Sequence, residues 1–183
     1  MYFIYSNKES EDLAKQVIGH VRKRKFGIVD EMPKADVILA VGDDNTILNV
    51  FRELGKKETP VLGIASRQSF LAQSDAASFQ KHIDLISKKK YKIFRRSRIV
   101  AGFNGQKYPA LNDIGIFSSK TASLIRYSLN LNSGQLWKDN ADGIIISTPT
   151  GSTCYSFSAH GPIILDEPAT LSITPIASIE KRS

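Results

Sequence analysis

Apolar residues along this chain keep one rhythm up to about residue 90 and a different one after it. Tyr2-Phe3-Ile4-Tyr5 reads as a short opening strand. From Glu9 to Arg22, Leu13, Val17, Ile18 and Val21 recur mainly at helical spacing, with Ser6 or Ser10 near the start. Asp36-Val37-Ile38-Leu39-Ala40-Val41 is a compact apolar run, the pattern of a strand buried on both faces. It stops sharply at Gly42-Asp43-Asp44-Asn45, after which Thr46 to Leu54 reads as helix. Val61 to Ala65 repeats the strand pattern behind Pro60, and Phe79 to Ser87 predicts another helix. Strands alternating with helices predict an α/β unit with a parallel sheet.

After Lys92 the helical spacing gives way. Ile99 to Phe103, Gln106 to Ile116 and Ala122 to Leu131 are strand-like runs separated by Asn-Gly and Ser-Ser-Lys turns. Ile125, Tyr127, Leu129 and Leu131 alternate with Arg126, Ser128 and Asn130, the period-two mark of a sheet with one wet face. Asn104-Gly105 is a hairpin signal. Gly143 to Ser147 gives a further strand, leading into a loop dense in hydroxyls and then a helix from about Ser152. The pattern divides the chain into an α/β part, 1–92, and a β-rich, sandwich-like part, 93–183.

Composition narrows the class. A hydrophobic fraction of 42% and a charged fraction of 23% describe a globular chain rather than a disordered or fibrous one. No apolar run reaches the roughly 18 to 20 residues needed to cross a bilayer. Met1 to Asn7 lacks a basic segment followed by a long apolar one, so no secretory signal is expected. Cys154 is the single cysteine and cannot form an internal disulfide, which fits a reducing, cytoplasmic setting. The formal charge of +7 concentrates at Arg22 to Lys25, Lys88 to Lys90 and Arg95-Arg96-Ser97-Arg98. Such a field draws anions. No zinc-finger spacing or recognition-helix signature accompanies it, so a nucleic-acid partner is not expected.

Three segments carry candidate chemistry. Gly42-Asp43-Asp44-Asn45-Thr46 follows a buried strand, where ligands sit in open α/β sheets and a helix start can face a phosphate. Asp44 could take a proton from a hydroxyl attacking phosphorus. An ordinary acidic turn that caps the next helix is the commoner reading of these five residues taken alone. Asn112-Asp113, between apolar neighbours, pairs an amide with a carboxylate and suits the hydroxyls of a ribose; an ordinary turn would look the same. The third is Asp142-Gly143, then Ser147-Thr148-Pro149-Thr150-Gly151-Ser152-Thr153-Cys154-Tyr155 and Ser158-Ala159-His160-Gly161-Pro162. Its hydroxyls suit the polar edge of a base, a ribose or phosphates, and Tyr155 could stack on a base. His20, His82 and His160 share no metal-ligand spacing, so no protein-built metal site is expected, and His160 reads as structural.

These segments, in this order, resemble the NAD kinase family, and the third is the most specific match. Alanine is usual there at the place of Cys154 and glycine at that of His160. The resemblance implies a two-domain phosphotransferase that binds NAD in a cleft and phosphorylates the 2′-hydroxyl of its adenosine ribose. The donor would be ATP, another nucleoside triphosphate or polyphosphate, with magnesium as the usual cation. By the resemblance Asp44 is the catalytic aspartate, and Gly42, Asp43, Asn45 and Thr46 form the phosphate-approach motif around it. Asn112 and Asp113 would hold the nicotinamide side of NAD and Asp142 the nicotinamide riboside region. Thr153, Cys154, Tyr155 and Ser158 would shape the adenine and ribose pocket, and Phe70 would face the nucleotide. A homo-oligomer, dimer or tetramer, is also implied.

The chain departs from the family pattern at several of these places. Asp43 stands for the second glycine of a Gly-Gly-Asp-Gly-Thr motif, Asn45 for its last glycine and Asp113 for a glutamate. The segment Ile64-Ala65-Ser66-Arg67-Gln68-Ser69-Phe70-Leu71 is shortened and lacks the usual glycines. The family also continues beyond Ile173-Thr174-Pro175-Ile176, so the second domain is expected to be incomplete. A catalytically weak or inactive NAD- or NADP-binding protein of the same fold is the main alternative. A lipid or small-molecule kinase is a further one.

Overall fold

A computed structural model of the chain describes residues 1–132, 134–165 and 170–180. It divides into two compact units, Met1–Arg95 and Arg96–Ser183. The first is a parallel sheet of β1 (Tyr2–Ser6), β2 (Val37–Gly42), β3 (Val61–Ala65) and the short β4 (Ser74–Asp75), ordered β1-β2-β3-β4. Helices α1 (Glu11–Lys23), α2 (Asp44–Glu53) and α3 (Phe79–Ser87) cover it.

β2 organises this unit because alternate residues of its apolar run feed two cores. Leu39 and Val41 pack with Val17 and Val21 of α1 and with Phe79 and Ile83 of α3. Ile38 and Ala40 pack with Ile47 and Val50 of α2. All four β2 residues are fully buried. Parallel register sets Ser6 beside Val41 and Gly42 beside Ala65. The carboxyl ends of β1, β2 and β3 therefore share one edge, and the chemistry-bearing turn lies on it.

The second unit is antiparallel. β10 (Gly143–Ser147) runs between β7 (Asp113–Phe117) and β11 (Ser172–Ile176). Pro175 lies on β11, at the edge of the described sheet, where a missing N–H is tolerated. Two ribbons accompany the sheet: β5 (Ile99–Phe103) with β6 (Gln106–Ala110), and β8 (Ile125–Leu131) with β9 (Gly134–Ala141). Asn104 has the positive φ that the Asn-Gly turn requires.

Several local expectations change. The run Gln106 to Ile116 is two strands, broken at Leu111-Asn112, so Asn112 sits between strands and Asp113 opens β7. The expected helix from Ser152 is a 3-10 turn, Gly151–Thr153, followed by the short α4 (Tyr155–Ser158). In place of a turn through Asn45, α2 starts at Asp44, because the Asp43 side chain caps it. The basic runs at Arg22 to Arg24 and at Lys88 close α1 and α3, where cations complement the helix dipole.

Candidate functional site

The first polar cluster is built at the carboxyl edge of the parallel sheet. Gly42 is required there by close approach, since a Cβ would lie 2.3 Å from the Thr46 hydroxyl. Asp43 caps α2: one carboxylate oxygen accepts from the Thr46 amide at 2.9 Å and from its hydroxyl at 2.8 Å. The other oxygen lies 3.1 Å from the Arg67 guanidinium. The Thr46 amide, then its hydroxyl and Arg67, hold the Asp43 carboxyl below the usual range against the opposing effect of burial. Thr46 is buried and its hydroxyl turned inward, whereas Asn45 is exposed.

Asp44 occupies the first turn of α2, and the shortened loop after β3 wraps around its carboxylate. Ser69 donates its hydroxyl to Oδ1, and the amides of Leu71 and Phe70 donate to Oδ1 and Oδ2, each at 3.1 Å. The Ser69 hydroxyl oxygen also accepts from the Ala72 amide at 2.9 Å. Serine thus organises this loop locally. The Phe70 ring stands 92% exposed. A groove of about 580 Å³ runs along this loop, lined by Ser66, Arg67, Gln68, Gln73, Asp75 and Ser78 among others.

The second cluster gathers where β7 begins and β10 ends. The Thr148 amide donates to the Asn112 carbonyl at 2.8 Å, and the Thr148 hydroxyl to the Leu111 carbonyl at 2.6 Å. Gly151 fits against this pair so closely that a Cβ would meet the Asn112 carbonyl oxygen at 2.2 Å. Asn112 Nδ2 faces Cys154 Sγ at 3.5 Å, while its Oδ1 is buried with no partner among the described residues. Burial pushes the Asp113 carboxyl above the usual range. Asp113 pairs across the sheet with Ser147, at the same end of β10. The Tyr155 ring stacks on Phe117, centroids 6.0 Å apart. Thr153 and Ser158 are exposed, and Ser158 turns its hydroxyl toward the Cys154 carbonyl.

Asn112, Asp113 and Cys154 are thereby brought together, but Asp142 is not. It precedes β10 and so stands a five-residue strand away, about 17 Å, from the Ser147 end. His160 takes a φ of 62°, the left-handed backbone that favours glycine. Sequence reading did not single out Arg67, Ser69 or Phe117. No local signal marks Arg67, because its partner Asp43 lies 24 positions away in sequence.

A parallel α/β unit with a glycine–aspartate turn, followed by an antiparallel unit with a hydroxyl-rich loop, defines the class as a two-part kinase fold. Models of the ATP-NAD kinase N-terminal and C-terminal domains match residues 5–91 and 111–183. An NAD kinase of Bacteroides fragilis is 37% identical over 148 residues, 78% of this chain and 51% of that protein. One from Methanopyrus kandleri is 31% identical over 169 residues, 91% of this chain and 61% of that protein. Among solved structures, an NAD kinase from Archaeoglobus fulgidus in complex with ATP superposes with a TM-score of 0.81 at 26% identity. That superposition covers 98% of this chain and 74% of that one. Yeast NADH kinase complexed with NADH shares the fold, with a TM-score of 0.86 at 20% identity over 98% of this chain and 66% of its own. The chain belongs to the NAD kinase family, and it spans about half the length of the Bacteroides relative.

Proposed function

We propose that this chain carries the phosphotransfer site of an NAD kinase, moving a phosphoryl group from ATP or polyphosphate to the 2′-hydroxyl of the adenosine ribose of NAD. The observation that carries this is the Gly42-Asp43-Asp44 turn at the carboxyl edge of β2, within the segment that matches the kinase N-terminal domain. Asp44 accepts the proton of the 2′-hydroxyl as the ribose oxygen forms its bond to phosphorus and the bond to the donor's leaving phosphate breaks. Asn112 and Asp113 position the dinucleotide with polar groups at one end of β7. Thr153, Tyr155 and Ser158 present polar and aromatic surface to it.

Among the described residues no group of three or more His, Cys, Asp or Glu side chains is placed to cage a metal. Magnesium needs no such cage, because it binds through one or two carboxylates together with the substrate phosphates. Asp44 is the carboxylate that fits, and a cation there would neutralise charge developing on the transferred group. A cytoplasmic place and a homo-oligomer are part of the same reading. The homo-oligomer comes from the family resemblance and the cytoplasmic place from the single cysteine. No described helix is long and apolar enough to cross a membrane.

A second reading, a dinucleotide-binding protein with little or no activity, is favoured by one observation. Three donors of the Ser69–Leu71 loop already occupy the Asp44 carboxylate. Among the described residues Oδ2 accepts from the Phe70 amide alone, so catalysis must use the one acceptor position left there or displace a loop donor. The deciding experiment is NADP formation from NAD and magnesium with ATP, polyphosphate or no donor. Donor-dependent product supports the kinase; NAD binding without product supports the second reading.

A further inference from the structure

Position 43 poses an electrostatic problem for a site that must receive a chain of phosphates. A free carboxylate at the head of α2 would repel the donor and cancel the helix-start field that attracts anions. The fold answers with Arg67. Its Nη2 lies 3.1 Å from Asp43 Oδ2 and 3.4 Å from Glu9 Oε2. Glu9 comes from the turn after β1, Asp43 from the end of β2 and Arg67 from the loop after β3. Three neighbouring strand ends therefore place their charged residues at one point on the ligand-receiving edge of the sheet.

Fold stability accounts for only part of this arrangement. The Asp43 side chain is 17% exposed and its pairing contributes to the fold, but Arg67 is 63% exposed and Glu9 75%, and an ion pair as open as theirs contributes little to stability. Both contacts are made by Nη2, which leaves the Nη1 and Nε hydrogens of the guanidinium fork for another acceptor. The same side chain lines the groove of about 580 Å³ along the loop. A planar fork held by carboxylates on one side matches phosphate oxygens on the other.

We propose that Arg67 is a ligand for the phosphate chain of the phosphoryl donor, held in place by Asp43 and Glu9; this rests on the phosphotransfer reading above. Asp43 and Arg67 then act as one unit, in which the carboxylate holds the guanidinium and the fork meets the phosphates. Arginine is harmless to an approaching phosphate with or without Asp43. Asp43 is tolerable only with Arg67.

Calorimetric titration of the full chain with magnesium-ATP, and separately with inorganic tripolyphosphate, tests this. Arg67→Ala should weaken both about tenfold or more, because it removes a charged ligand and uncovers a like charge. NAD binding and the melting temperature should stay close to wild type, which separates loss of a ligand from loss of fold. Asp43→Asn keeps the helix cap and removes the charge. The Asp43→Asn, Arg67→Ala double variant should therefore bind both anions more tightly than Arg67→Ala alone. Arg67→Lys, which keeps charge and loses the fork, should fall between.

Wild-type affinity in Arg67→Ala, no recovery in the double variant, or no binding of either anion by the wild type overturns the proposal. Loss of ATP binding with tripolyphosphate binding intact also overturns it, since Arg67 would then contact the nucleoside. NADP assays keep the two readings apart. Product formed by Arg67→Ala with an unchanged KM for the donor preserves the kinase and sinks this inference. Arg67-dependent anion binding with no product from the wild type does the reverse.

Discussion

The carboxylate of Asp44 and the hydroxyl of Ser69, 25 positions apart in sequence, are joined by a hydrogen bond that fixes the loop after β3 to the first turn of α2. Backbone amides of Phe70 and Leu71 complete the grip. One side chain thus has two duties, organising the loop and serving as the proposed base, and two substitutions separate them. Asp44→Asn keeps one carbonyl oxygen, which can stand for Oδ1 and accept from Ser69 and Leu71, so most of the loop's order should survive although the Phe70 amide loses its acceptor. Turnover should fall by about 10² or more, because the proton acceptor is gone. Asp44→Ala removes both functions. Hydrogen exchange at the Leu71 amide should quicken in the alanine variant and stay near wild type in the asparagine variant, whereas the Phe70 amide, which loses Oδ2 in both, should quicken in both. Equal turnover in Asp44→Asn would remove Asp44 from the chemistry.

Asp43 should make the protein sensitive to acid. Its folded-state carboxyl is held below the ordinary value by the Thr46 amide, the Thr46 hydroxyl and Arg67. A depressed carboxyl contributes stability that is present above the unfolded value, about 3.9, and is lost as pH falls through the lower folded value. Melting of wild type and Asp43→Asn should therefore differ at pH 6 and converge as acid protonates the group. Asp43→Ala, which loses the cap as well, should cost about 1 kcal/mol at neutral pH. A wild-type advantage that persisted undiminished below pH 3 would contradict this account.

The parts of the fold that were legible in the sequence are those whose causes are local. β2 is a dense apolar run ended by glycine, and α1 carries its apolar face at helical spacing, so both announce themselves. β9 was not foreseen. Its Gln135, Lys138, Asp139 and Asn140 have low strand preference, and the strand exists because β8 pairs with it. Asp139 is nearly fully buried there, accepting from Tyr127 and Ser178, a tertiary arrangement that no local pattern encodes. The candidate site divides the same way. Asp44 and the pair Asn112-Asp113 stood out as polar residues beside apolar strands. The Ser69 grip and the Arg67 pairing depend on chain segments 24 to 27 positions apart being brought into contact. Asp142 gained its role only through the resemblance, and it stands at the far end of β10 from Ser147.

Asp113 should behave oppositely to Asp43. Burial raises its carboxyl, so the folded state holds the proton more tightly than the unfolded one. Stability then falls as pH rises from the unfolded value, about 3.9, through the folded one, and the deficit persists at neutral pH. Asp113→Asn removes the buried charge. It should melt higher than wild type at pH 7, with the difference closing near pH 3, and it should weaken NAD binding if the carboxylate touches the dinucleotide. A variant that melts lower at pH 7 would show that the charge is compensated where it lies.

Gly151 gives a sharper test of the second cluster. A Cβ at this position would sit 2.2 Å from the Asn112 carbonyl oxygen and 2.4 Å from its carbon, and backbone cannot swing aside as a flexible side chain can. The clash falls where the Thr148 amide and hydroxyl tie the Leu111-Asn112 segment to the end of β10. Gly151→Ala should therefore destabilise the antiparallel unit by about 1–3 kcal/mol or more, as overpacking does. The loss should concentrate in that unit: hydrogen exchange should quicken in β7 and β10 while β2 and β3 keep their protection. NAD binding should fall with it, because Asn112 and the 147–155 loop would be pushed apart. Wild-type protection in β7 and β10 of Gly151→Ala would mean that the contact between Gly151 and Asn112 does not hold this cluster together.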